Sequence, residues 1–101
     1  MSTTSDRNDP DLRVTDSDGQ QRKYLVLPEE DRTDFVRPVR TSYVHTTCGA
    51  VTTMGRALAE TYARDPHFYG ATFCATCRSH FPVGEDGEFV WSDDPAIKVG
   101  T

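Results

Sequence analysis

A chain of 101 residues with 36% hydrophobic and 27% charged side chains has room for one domain with a thin core, so it needs some further source of stability. Aromatic residues make up 10% of it, too many for a chain disordered throughout. The net charge is −5, no apolar run approaches the roughly 20 residues that cross a bilayer, and the N-terminus lacks the basic and apolar stretches of a secretory signal; no membrane partner and a cytoplasmic location are therefore expected.

In chain order, residues 1–21 hold Leu12 and Val14 as their only apolar residues after Met1, and cannot repay the entropy of ordering. They are expected as a flexible acidic tail, with residues 22–101 as the single folded domain. "KYLVL" (23–27), ended by Pro28, predicts a short strand. From Val39 the alternation Val39, Thr41, Tyr43, His45 predicts a strand that delivers His45 to its end.

In "AVTTMGRALAETYARDP" the residues Val51, Met54, Leu58 and Tyr62 recur at three- and four-residue steps, as one apolar stripe of a helix does. Pro66 stops that helix near Arg64, giving about 13 residues and about 20 Å. "FYGATFC" reads as the next strand. "SHFPVGEDGEFVW" reads as a hairpin turning at Asp86 and Gly87, with Phe81, Val83, Phe89 and Trp91 covering the helix.

Three cysteines are an odd number, and the pair in "CATC" suits a metal or a redox centre in a reducing compartment better than a disulfide framework. Two ligands two residues apart reach one ion from a single turn, and zinc takes four thiolate or imidazole donors in a tetrahedron. "HTTCG" supplies His45 and Cys48, and "CATC" supplies Cys74 and Cys77. His80, three residues after Cys77, is the alternative fourth ligand, and His67 a weaker candidate.

Over residues 39–92 this arrangement resembles the zinc ribbon and zinc knuckle group, in which two knuckles clamp one structural Zn2+. The resemblance implies a Cys3His site of His45, Cys48, Cys74 and Cys77. Together with the elements above, the expected fold is α+β: a small zinc-stabilised antiparallel sheet with one amphipathic helix inserted between the knuckles. Arg78 stands where the second knuckle commonly has glycine, and the helix between the knuckles is a second departure.

Short cytidine deaminases are similar in having a cysteine followed by a helix and a "CxxCR" pair, but the place of their proton-moving glutamate is Ala50 here, and Glu60 lies too far along the helix. The expected function is a non-catalytic zinc-binding module for a protein partner, offering Phe89, Trp91, an arginine face and the acidic tail. Nucleic-acid binding through Arg37, Arg40, Arg56, Arg64 and Arg78 is the alternative. Residues 35–82 carry these five bases against Glu60 and Asp65, but the acidic flanks and the net charge oppose phosphate binding. A zinc-dependent hydrolase or deaminase ranks third.

Overall fold

The computed structural model of the protein describes residues 2–101. It is a small α+β structure, with strands β1 (Ser2–Thr4), β2 (Lys23–Leu25), β3 (Ser42–His45), β4 (Val51–Thr53), β5 (Ala71–Cys74), β6 (Ser79–Pro82) and β7 (Phe89–Trp91), and one helix, α1 (Arg56–Arg64). Strand β3 lies between β4 and β7 in an antiparallel sheet, β5 and β6 form a separate antiparallel hairpin, and β1 pairs in parallel with β2. No helix among the described residues is long and apolar enough to cross a membrane.

The alternation expected around Tyr43 and His45 is present, and both side chains are buried while Ser42 and Val44 are half-buried. Helix α1 begins later than its apolar spacing suggests. Val51, Met54 and Leu58 follow at three- and four-residue steps, but residues 51–53 pair with β3 in the register Val44↔Val51 and Ser42↔Thr53. Cross-strand bonding thus overrides the helical pattern, leaving Val51 exposed and Met54 buried. Gly55 caps the helix without a side-chain bond, and Asp65, forced out of helical geometry by Pro66, ends it as expected. Leu58, Ala59, Thr61, Tyr62 and Ala63 form the buried face, with Tyr62 edge-on to Trp91 at 5.8 Å.

The expected hairpin over 79–91 does not form. Strand β6 pairs back onto β5, whereas β7 pairs with β3 in the register His45↔Phe89 and Tyr43↔Trp91. The C-terminal residues flank β7 on its other side: the Trp91 N–H donates to the Ile97 carbonyl at 3.1 Å and the Val99 N–H to the Phe89 carbonyl, also at 3.1 Å. Gly87 serves a close approach, since a Cβ there would sit 2.6 Å from the Val83 backbone. Phe89 and Trp91 are consequently interior and not available as a contact surface.

The N-terminal segment differs from the expected flexible tail. Besides the β1–β2 pairing, Asp9 caps a 3-10 turn (Pro10–Arg13) and its carboxylate pairs with the Lys23 ammonium at 3.0 Å. Gly19, at φ 88°, lies so close to the second hairpin that a Cβ would stand 2.0 Å from the Arg78 carbonyl oxygen. Polar and backbone contacts of this kind leave no trace in hydrophobic patterning.

Candidate metal centre

The two hairpins present their ligand pairs by the same local geometry. At the tip of β3–β4 the Gly49 N–H donates to the His45 carbonyl at 2.7 Å, and at the tip of β5–β6 the Arg78 N–H donates to the Cys74 carbonyl at 2.8 Å. Such a turn sets the first and fourth residues side by side: His45 with Cys48, and Cys74 with Cys77. Its fifth residue leaves at positive φ, 76° at Gly49 and 55° at Arg78. Arg78 therefore holds the conformation that glycine commonly supplies, at a cost of about 1–2 kcal/mol.

Bonds between the hairpins bring the tips together. The Tyr43 hydroxyl donates to the Phe73 carbonyl, and the Ala75 N–H donates to Thr52 Oγ1 at 3.2 Å. One donor atom from each of His45, Cys48, Cys74 and Cys77 then lies within 4.8 Å of all the others, close enough to hold a metal ion. His45 Nδ1 is 3.3 Å from Cys48 Sγ and 3.6 Å from Cys77 Sγ; Cys48 Sγ and Cys74 Sγ are 3.7 Å apart. All three cysteines are free thiols. His45 and Cys74 are buried while Cys48 and Cys77 are exposed, so protein closes one side of the cluster and solvent reaches the other.

The orientation of His45 is fixed from three directions. Its ring packs against both Phe81 and Phe89, at centroid distances of 4.4 and 4.8 Å. On its far edge Nε2 is 2.9 Å from Glu88 Oε1, which also accepts from the Thr47 hydroxyl at 3.0 Å. A proton on Nε2, facing the carboxylate, leaves the Nδ1 lone pair toward the sulfurs, and such a carboxylate–histidine pairing is the usual support of a metal-bound imidazole.

The groups of the cluster shift one another's protonation in both directions. Burial opposes protonation of His45, but its bonds to Glu88, Cys48 and Cys74 outweigh this and hold its pKa above the ordinary value. The Ala50 N–H lowers the Cys48 thiol to about 7, while desolvation and the neighbouring sulfurs raise Cys77 to about 11. The His45 bond holds the Glu88 carboxyl below its usual range.

Of the other histidines, His80 lies away from the cluster, its Nε2 3.1 Å from the Tyr24 hydroxyl and its ring against Phe73 at 5.2 Å. His67 is exposed and outside the cluster. Glu88 is the site residue that the sequence reading missed. It stands 43 residues from His45 and follows no motif, and only the pairing of β7 with β3 brings it to the imidazole.

Three of the five middle-segment arginines face carboxylates. Arg40 pairs with Asp93 at 3.2 Å, Arg56 with Glu60 at 3.2 Å, and Arg64 borders a depression lined by Glu30, Asp31, Asp34 and Asp65. Compared with protein-family models, curated proteins and solved structures, the chain gives no match.

Proposed function

We propose that the cluster holds one Zn2+ as a structural site and that the domain is a non-catalytic, zinc-ribbon-like module that binds a protein partner. The observation that carries this reading is the donor set: three thiols and one imidazole, two from each hairpin tip, with the imidazole held by Glu88. Tetrahedral zinc, with bonds of about 2.3 Å to sulfur and about 2.0 Å to nitrogen, has sulfur–sulfur edges of about 3.8 Å and sulfur–nitrogen edges of about 3.6 Å. The separations of 3.7, 3.6 and 3.3 Å lie near those edges, and with all four donors within 4.8 Å of one another a small inward shift would complete the tetrahedron.

Four protein donors saturate zinc and leave no place for an activated water, which disfavours the hydrolase and deaminase readings. Glu88 is engaged with His45 and Thr47 on the side away from the sulfurs, so it is badly placed to move a proton at the metal. When bound, the ion would lock the two hairpin tips together, and its binding energy would add to folding energy in a chain with a thin core. A reducing, cytoplasmic setting would keep the three thiols available.

A protein partner is favoured over nucleic acid on charge. Three thiolates outweigh a divalent cation by one unit, the net charge is already −5, and Arg40 and Arg56 are paired while Arg64 borders acids. The test is elemental analysis of reduced, freshly purified protein, with an affinity pull-down analysed for both protein and nucleic acid. One zinc per chain and a co-purifying protein are expected. Absence of zinc, or nucleic-acid binding with a steep salt dependence, would reject the reading.

A further inference from the structure

Between the first hairpin, β5 and α1 lies a cavity of about 200 Å³. None of its lining residues is charged, and none is a donor of the metal cluster. Five rings border it, those of Tyr24, Tyr43, Tyr62, Tyr69 and Phe73, while Ala71 and Ala75 leave room where larger side chains would fill the space. Val51, Thr53, Ala71 and Ala75 on its rim are exposed, so the cavity opens to solvent and a ligand can enter it. An apolar cavity of about 150 Å³ takes a benzene ring, and this one has room for a ring with a substituent.

The wall also carries an unanswered polar group. Tyr62 is 4% exposed and its hydroxyl has no hydrogen-bond partner. The neighbouring hydroxyls spend their protons elsewhere, Thr72 on Tyr43 at 3.3 Å, Tyr43 on the Phe73 carbonyl and Tyr69 on the Leu25 carbonyl, so none donates to Tyr62. Buried hydroxyls normally find partners, and a polar group entering the cavity could supply one here. With no charged group in the lining, a charged ligand would lose its hydration without compensation.

We propose that this cavity binds a small neutral aromatic molecule bearing one hydrogen-bonding group, with its ring among Tyr24, Tyr43 and Tyr69 and its polar group at the Tyr62 hydroxyl. The site shares no residue with the metal cluster, so it goes beyond the zinc reading and does not depend on it.

The full chain, as purified, is titrated with phenol, toluene and benzoate and followed by NMR. Phenol is expected to bind, with intermolecular NOEs to the Leu58 and Met54 methyl groups, and benzoate to bind at least about tenfold more weakly. Tyr62→Phe keeps the ring and is expected to weaken phenol about tenfold, the loss of one hydrogen bond, while toluene is unchanged. NOEs that arise only outside the cavity, no phenol binding at millimolar concentration, or benzoate binding as tightly as phenol would overturn the proposal. Equal phenol affinity in folded Tyr62→Phe would do the same.

Discussion

Removing the Glu88 side chain tests whether the imidazole at the cluster is a supported metal ligand. Glu88→Ala deletes the acceptor 2.9 Å from His45 Nε2 and 3.0 Å from the Thr47 hydroxyl, while the four donor residues remain. The ring keeps its packing against Phe81 and Phe89, so it is loosened and not lost. Loss of such a supporting partner typically lowers metal affinity about 10- to 100-fold, which is about 1.4–2.7 kcal/mol. Glu88→Gln keeps an acceptor without the charge and should fall near the lower end. Competition with a chromophoric chelator at fixed pH measures both, since zinc competes with protons for these ligands. Unchanged affinity in folded Glu88→Ala would refute the supporting role. A loss as complete as that of Cys74→Ser would refute the distinction between support and ligand.

Cys48→Ser, Cys74→Ser and Cys77→Ser should each abolish tight zinc binding, as should His45→Ala, whereas His80→Ala should leave zinc affinity within about threefold because it removes only the contacts to Tyr24 and Phe73; the same chelator competition decides, and a reversed histidine pair would move the fourth ligand. Gly19→Ala should destabilise by about 1–3 kcal/mol in chemical denaturation, because φ is 88° and the new Cβ meets the Arg78 carbonyl; a neutral result would return residues 1–21 to a flexible tail. Alkaline titration should show the fold resisting ionisation of Tyr43, whose burial raises it from 10.0 to about 12, with Tyr62 and Tyr69 also raised by burial. A raised folded value means that this stability is complete below pH 10 and is lost as pH climbs through the folded values, so phenolate absorbance should appear together with unfolding. Phenolate absorbance developing near pH 10 while the fold persists would contradict that burial.

The two His/Cys and Cys/Cys pairs of the cluster, and the strands that carry them, were legible in the sequence alone. His45 and Cys48, like Cys74 and Cys77, are three residues apart, so one turn brings each pair together whatever the rest of the chain does, and the alternation through Tyr43 and His45 marks a face to be buried. The end of α1 was equally local, because Pro66 acts on its own neighbour.

The tertiary structure decided what depended on partners distant in sequence. Val51 and Met54 fit a helical stripe, but β3 offered residues 51–53 a ladder of backbone bonds. Phe81 and Phe89, expected on one hairpin, belong to strands with different partners and both pack against His45. Glu88 at the imidazole, Gly19 against Arg78 and the ring-lined cavity each join segments far apart in the chain. Spacing encodes what a single turn or strand can reach; strand register and side-chain packing between separate segments arise only when the whole chain folds.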